Sequence, residues 1–330
     1  MKVSVVIPHF NGTDILRRCL NSVVSASSVL EVIVFDNGSS DDSLWMMAQE
    51  FPSVKVIRSE ANYGYAGACH KAAKQCQGGA LFFLNNDAWI APNALDHLLQ
   101  SVTNGADIVQ PRILNPDGSL QSGLLGIDWL GHPSRVTSSD KIFYATGTAL
   151  LIRRSVYFAI GGFDPDFFAF WEEIDLCWRA RHHGCHLVYC DDAIVYHSGG
   201  TTIGSSGMLY PSAYTTNYLR MYFGRRNCLV TLTKNYRMAT LLWVIPLWWV
   251  ESSLEILAAV VTGNILILRV YWAVLRWITA NRRIIWTKHK EVQRARVIGD
   301  LPLLRRMLPA GQRMRTGVKL LFSGRPKLSR

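Results

Sequence analysis

The triplet Asn85-Asn86-Asp87 follows five apolar residues, 80–84, and precedes Ala88-Trp89-Ile90 and Pro92. The apolar run reads as a short buried strand that ends on two amides and a carboxylate. Hard oxygen donors in that position can hold a divalent cation against phosphates. The same residues also suit a plain turn, so the chemistry depends on what else converges there. Asp36-Asn37-Gly38-Ser39 ends a second apolar run, and its carboxylate can accept hydrogen bonds from a base or a ribose. Helix capping by Ser40 or Asp41 is the ordinary alternative for that stretch. Asn62-Tyr63-Gly64-Tyr65-Ala66-Gly67 opens a helix pattern, and its free N–H groups are expected to face an anion. It matches neither a dinucleotide fingerprint nor a phosphate loop with Gly-Lys-Ser/Thr.

A second acidic constellation lies at 163–179. Glu172, Glu173 and Asp175 fall within four residues at a helix start, after the aromatic run Phe167-Phe168-Ala169-Phe170-Trp171. Carboxylates favour helix starts for dipole reasons alone. Aromatic neighbours would also desolvate them, which raises a carboxylate's pKa and improves it as a general base. His197, in Tyr196-His197-Ser198-Gly199-Gly200, is a single histidine able to return to the rim that holds Asp87.

The elements that must position these groups show in the first half of the chain. Apolar runs at 3–7, 31–35, 54–58 and 80–84 alternate with helix patterns near 13–26, 41–51, 65–77 and 92–102. Four such repeats predict a mostly parallel, Rossmann-like α/β sheet with helices on both faces. Ligands bind at the carboxyl ends of such strands, so Pro8 to Asn11, Asp36 to Ser39 and Asn85 to Asp87 should share one rim. Beyond 107 the pattern changes. Residues 120–140 read as a Gly/Ser-rich loop, 145–152 as a strand, 171–183 as a helix, and 187–190 and 193–196 as short extended pieces. Residues 209–235 read as a helical stretch of interleaved aromatic and basic residues.

Residues 239–250 are apolar except for Thr240 and include Trp243, Trp248 and Trp249. Twelve residues are too few to span a bilayer, so an in-plane or re-entrant helical pair over 239–278 is expected. Residues 279–330 hold 14 Lys/Arg and 2 Asp/Glu, which leaves the first 278 near neutral within a total of +11. Directly after an apolar segment, such a tail fits anionic lipid headgroups better than nucleic acid. The seven scattered cysteines argue against a disulfide framework and for a reducing compartment. His182, His183, Cys185, His186 and Cys190 lack the paired spacing of a zinc site. Residues 3–7 are too short for a signal-peptide core and read as a first strand.

In order and spacing, these motifs resemble glycosyltransferase family 2 with the GT-A fold. They are Val5-Val6-Ile7-Pro8, Val34 to Ser39, Asn62 to Gly67, Asn85-Asn86-Asp87, Gly161-Gly162-Phe163-Asp164, Glu172-Glu173-Ile174-Asp175-Leu176 and His197. The bacterial rhamnosyltransferase-like and galactofuranosyltransferase-like branches are most similar. The resemblance implies a catalytic domain at 1–235 and a helical, basic, membrane-associating extension at 236–330. It implies an inverting transfer of a rhamnose-like or other hexose from a dTDP- or UDP-sugar to a hydroxyl of a lipid-linked or cell-surface polysaccharide acceptor. Magnesium or manganese would assist, at the cytoplasmic face of a bacterial membrane, and a homo-oligomer is compatible. Asp36 would bind the base or ribose, with Pro8, Asn11, Asn62, Gly67, Asn85, Asn86 and Gly147 lining the donor site. Asp87 would be the main metal ligand, with Asn85 in place of the motif's first Asp, and His197 a further ligand. Glu173 would be the base, where the family usually has Asp, with Asp175 in reserve. Trp171 and Glu172 would face the acceptor. A nucleotidyltransferase is the rival enzyme class, although residues 8–13 offer no Gly-rich basic loop. A catalytically degenerate sugar-nucleotide or lipid binder is the non-enzymatic rival.

Overall fold

The computed structural model describes residues 1–199 and 218–311. The chain runs β1 (Val3–His9), α1 (Thr13–Val23), β2 (Val29–Asp36), α2 (Ser43–Glu50), β3 (Lys55–Arg58), α3 (Gly64–Ala73), β4 (Ala80–Leu84), β5 (Ala88–Ile90) and α4 (Ala94–Thr103). It continues through β6 (Ile108–Leu114), β7 (Leu120–Ser122), β8 (Leu125–Ile127), β9 (Pro133–Arg135), β10 (Ala149–Arg153), α5 (Arg154–Ala159), α6 (Glu172–His182) and β11 (Leu187–His197). Five helices close it: α7 (Tyr218–Asn235), α8 (Met238–Val261), α9 (Ile265–Ala280), α10 (Arg282–Ala295) and α11 (Asp300–Arg306).

The main sheet has the order β3-β2-β1-β4-β10-β6-β11-β5, with β7 paired to β6. The strands β1 to β4 run parallel, as the alternating pattern predicts, and β11 runs parallel to β6. Between the two parallel sets lies β10, antiparallel to both neighbours. Alternate residues of each central strand face opposite cores. Val5, Ile7 and Phe82 meet Leu16, Met46 and Leu98 on one side, while Val6, Phe83 and Leu150 meet Cys69, Leu176 and Trp178 on the other. Burial on both faces explains why these strands are apolar throughout rather than alternating.

Three expectations are corrected. Residues 120–140 are not one loop: β8 and β9 form a small antiparallel hairpin whose turn, 128–132, is largely buried. The two extended pieces after 187 are a single strand, β11, with an irregularity between Cys190 and Ile194. The 12-residue run at 239–250, read as too short to span a bilayer, is part of a longer element, since α8 is continuous for 24 residues. Glutamate is a good helix former, so α8 continues through Glu251, whose buried carboxylate lies 3.6 Å from His132 Nδ1. By length and composition α8 could cross a membrane, yet Val244, Trp248 and Glu251 are buried along one of its faces. Val244, Trp248, Tyr271 and Leu303 belong to the same core cluster as Phe83 and Trp178, so the C-terminal helices pack on the α/β layer rather than around a core of their own. Of the helical stretch read at 209–235, residues 218–235 form α7. The rest of it, and the basic tail from 312 on, lie outside the described residues.

Candidate active site

The ends of β1, β2 and β4 bring the first three motifs to one rim. Pro8 pairs with Phe35 and His9 with Asp36 in parallel register, so the β1–α1 and β2–α2 loops are neighbours. They are tied across the gap. The Asn11 backbone N–H donates to Ser39 Oγ at 2.9 Å, and the Ser40 N–H donates to Asn11 Oδ1 at 2.9 Å. Asp41 Oδ2 accepts from the Gly12 and Thr13 N–H groups at 2.6 and 3.1 Å. Burial pushes the Asp41 carboxyl up, but the donors from Ser43, Gly12 and Thr13 outweigh it and hold it at about 2. Beneath this latch Asp36 is fully buried. Its Oδ1 accepts from the Ser39 N–H at 3.1 Å, while Oδ2 has no hydrogen-bond partner. A buried acceptor left open is costly unless a ligand or water completes it.

Asn62 and Gly67 serve this rim differently from the expectation. Asn62 Oδ1 caps the Gly64 N–H at 2.8 Å, and Phe168 O accepts from the Ala66 N–H at 3.2 Å. Two of the N–H groups at the start of α3 are therefore used internally, which corrects their reading as free donors for an anion. A Cβ on Gly67 would lie 2.8 Å from Tyr63 Cβ, and one on Gly64 would lie 2.3 Å from Phe168 O. Gly64 lets α3 approach the loop that carries the acidic constellation, while Gly67 makes room for Tyr63 at the start of the same helix.

The second group forms where β4 and β11 end. Asn86 lies against His9, with Nδ2 3.0 Å from the ring Nδ1, and Asn85 is half-buried. Asp87 and His197 are both buried, and His197 Nε2 lies 3.1 Å from Asp87 Oδ1. The other ring nitrogen, Nδ1, is 2.6 Å from Gln121 Oε1. Gln121 Nε2 donates to Asn115 Oδ1 at 2.8 Å and to His197 O at 3.2 Å, so its oxygen must face the ring and Nδ1 must carry the hydrogen. Nε2 faces Asp87 Oδ1 at 3.1 Å, a contact that either a proton on Nε2 or a cation bound by both atoms completes. The orienting partner on the far nitrogen is the usual companion of a metal-binding imidazole. The donor set therefore fits Mg²⁺ or Mn²⁺, although no cluster of three or more His, Cys, Asp or Glu forms a metal site among the described residues. Two protein ligands leave the remaining positions to phosphate oxygens and water.

The third group sits on a strained approach. Phe168, Phe170 and Trp171 have φ of 61°, 67° and 68°, where bulky residues seldom go. Trp171 is half-buried, donates Nε1–H to Gly131 O at 3.1 Å, and lies over Gly224. Directly after it, α6 begins with Glu172 and Glu173. Each has a buried Oε2 without a partner. Burial drives Glu172 well above the ordinary carboxylate range, and ionised Glu173 beside it adds to the effect. Burial likewise raises Glu173, to about 7, with backbone N–H groups only partly offsetting it. Gly147 stands opposite: its carbonyl accepts from Tyr65 Oη at 2.6 Å, and a Cβ there would lie 3.6 Å from Glu172 Oε1.

Asp175 does not fit the reserve base. It is fully buried, and its oxygens already accept from Arg179 Nε at 2.9 Å, Lys234 Nζ at 2.9 Å and Asn235 Nδ2 at 3.0 Å. Burial pushes it up, but Arg179 and Lys234 outweigh burial and hold it below the usual carboxylate range. Gln121 and Tyr65 are site residues that the sequence reading missed. Gln121 lies in no motif, Tyr65 sits unassigned within the 62–67 motif, and each acts on a partner 76 or more residues away.

Residues 4–161 match the sequence model of Glycosyl transferase family 2. The chain carries a glycosyltransferase family 2 domain. Over 235 residues it is 26% identical to the N-acetylglucosaminyl-diphospho-decaprenol L-rhamnosyltransferase of Mycobacterium tuberculosis, covering 61% of this chain and 76% of that protein. It is 33% identical over 113 residues to the dolichol-phosphate mannosyltransferase of Pyrococcus furiosus, covering 33% of this chain and 32% of that one. Among solved structures it is similar to GalNAc-T7 with UDP, GalNAc and Mn²⁺, at a TM-score of 0.57 and 19% identity. That match covers 71% of this chain but only about half, 48%, of the other. It is also similar to the mannosyltransferase PcManGT of Pyrobaculum calidifontis in complex with GDP-Man and Mn²⁺, at a TM-score of 0.51 and 14% identity over 89% and 85% of the two chains. At these identities the structural likeness shows the GT-A fold, and the sequence match shows a glycosyltransferase.

The raised pKa of Glu173 has a consequence for stability. Its folded value lies above the unfolded value of roughly 4.3, so the stabilisation it confers is complete below that pH and is lost as pH rises through about 7. Glu173→Gln removes the penalty of ionising a buried group. Thermal melts are expected to show the variant gaining on wild type between pH 5 and pH 8; a gap that stays constant with pH would contradict the burial argument.

Proposed function

We propose that this family 2 glycosyltransferase is an inverting enzyme. It moves a rhamnose-like or other hexose from a UDP- or dTDP-sugar to a hydroxyl of a lipid-linked or cell-surface polysaccharide acceptor. The observation that carries this is the contrast within one helix turn. Glu173 is half-buried with its Oε2 enclosed and open, and its pKa is raised to about 7, whereas Asp175 is locked in ion pairs. A base poised near neutral pH is the group a direct displacement requires.

Asp36 supports the reading through its open, buried Oδ2, which can accept from the base or ribose, with Pro8, Asn11 and Asn86 forming the surrounding floor. Asp87 and His197, beside Asn85, would hold Mg²⁺ or Mn²⁺, which when bound neutralises charge on the diphosphate leaving group. Glu173 takes the proton from the acceptor hydroxyl as its oxygen bonds to the anomeric carbon. The bond from that carbon to the diphosphate breaks on the opposite face, so configuration inverts. Glu172, kept protonated by burial and by its neighbour, can donate a hydrogen bond to the acceptor without competing for the proton. Trp171 forms a wall beside the two glutamates.

The same proposal places the enzyme on the cytoplasmic face of a bacterial membrane, held in plane by α8 and α9. Leu247, Val250, Leu254, Leu257 and Val261 are exposed at helical spacing along the face of α8 opposite Trp248, and Ile265 and Trp272 extend the apolar surface on α9. The exposed Arg269, Arg276, Arg282 and Arg283 flank it and suit anionic headgroups.

Two experiments test these readings. Purified protein is incubated with a panel of UDP-, dTDP- and GDP-sugars and Mn²⁺ or Mg²⁺, and nucleoside diphosphate release is measured. We expect turnover whose kcat rises through a pKa near 7 and falls about a hundredfold or more in Glu173→Gln. Equal rates for wild type and Glu173→Gln would contradict the assignment. Flotation with vesicles containing anionic lipid is expected to carry the protein, and Leu254→Glu with Leu257→Glu to release it. Flotation unchanged by those substitutions would contradict the in-plane docking.

A further inference from the structure

Helix α7 has no place in the chemistry above, yet two of its residues, one basic and one an amide, reach the loop that delivers Glu173. We infer that Arg226 and Asn227 are positioning residues that hold the strained loop 167–171, and through it the catalytic glutamate, in the geometry for proton abstraction. The inference rests on the assignment of Glu173 as the base.

Asn227 is almost fully buried, and its Nδ2 lies 2.9, 2.9 and 2.7 Å from the carbonyl oxygens of Phe167, Ala169 and Phe170. Its orientation is not arbitrary. Arg226 Nε donates to Asn227 Oδ1 at 2.8 Å, which turns the amide so that both of its N–H groups face the loop. Arg226 Nη2 adds bonds to Asp166 O at 2.7 Å and Phe167 O at 3.0 Å. Two adjacent residues of α7 thus hold four carbonyls of one loop. Those carbonyls bracket Phe168 and Phe170, and with Trp171 these are the three residues forced to positive φ before α6. Such backbone persists only where its surroundings over-determine it. Without these donors the loop would relax and Trp171 would lose its bond to Gly131 O. Water would then reach the first turn of α6, and the proton affinity of Glu173, which rests on burial, would fall with it.

The Arg226 guanidinium is also sandwiched, 4.8 Å from the Phe223 ring and 4.5 Å from that of Trp277 in α9. The C-terminal helices therefore help fix the residue that fixes the loop. This is a physical reason for them to be part of the catalytic unit rather than an appended anchor.

The test uses full-length protein with whichever nucleotide sugar the donor panel identifies. Asn227→Asp keeps the shape but removes both N–H donors. We expect kcat to fall about tenfold or more, and the acid limb of its pH profile to move below 6.5. The donor KM and the Kd for UDP or the corresponding free nucleoside diphosphate should stay within about threefold. Arg226→Lys keeps a charge among the rings but cannot orient the amide through Nε. It should show both changes at smaller size, and it decides the matter if Asn227→Asp does not fold. A folded variant with wild-type kcat and acid limb overturns the inference, as does loss of fold in both variants, which would make the pair a folding determinant only. Glu173→Gln run alongside separates the failures. If it is inactive while Asn227→Asp is active, the positioning role alone falls; if it is fully active, the base assignment falls and takes the positioning role with it.

Discussion

The buried charge cluster around Asp175 is the constraint on which the site depends. Asp175 and Asp164 share Lys234 at 2.9 and 2.7 Å, Arg179 closes on Asp175, and Lys288 of α10 reaches Asp164. Burying these charges is tolerable only because each carboxylate meets more than one cation and further hydrogen bonds. The cluster ties α6 to α7, to α10 and to the Gly161-Gly162 turn, whose carbonyl Arg179 also takes at 2.7 Å. It fixes where α6 starts. It also leaves Glu172 and Glu173, on the same first turn, without cations of their own. One turn of helix therefore carries an acid held ionised, one held protonated and one poised near neutral pH, and environments that push neighbouring pKa values apart mark division of labour in a site.

Much of the fold was readable because its physics is local. The strands β1, β2 and β4 are apolar runs ending in polar clusters, with β3 an exposed edge, and the parallel sheet and its ligand rim follow from that pattern. The signals failed where structure depends on distant partners. Residues 125–135 look like a loop because Gly and Ser dominate nearby, but the turn between β8 and β9 is held from outside: Tyr236 Oη donates to Trp129 O at 2.9 Å and Trp129 Nε1 to Leu304 O at 3.1 Å. The apolar run at 239–250 is only half of α8, because Glu251 and Glu255 interrupt the apolar pattern but not the helix.

The site shows the same division. Asp36, Asp87, Glu173 and His197 can be named from residue type and order. Which of three clustered carboxylates is the base cannot, since Asp175 is excluded only by Lys234 and Asn235, about 60 residues further on. Arg179, four residues along the same helix, is the one local hint. Likewise His197 becomes a credible metal ligand only through Gln121, which sets its tautomer across the β6–β7 turn. In the proposed metal site, Asn85 in place of the motif's first Asp would remove one charge, and His197 would supply a neutral donor in its place.

Glu173 holds a proton near neutral pH because its carboxyl is enclosed although the residue is only half-buried, and this can be observed without turnover. Infrared difference spectroscopy of the full chain, wild type minus Glu173→Gln, follows the carboxylic C=O stretch as pH is raised. The account requires a band, present in wild type and missing from the variant, that disappears with a midpoint near 7. A difference spectrum with no carboxyl group titrating between about pH 5.5 and 8.5 would contradict it.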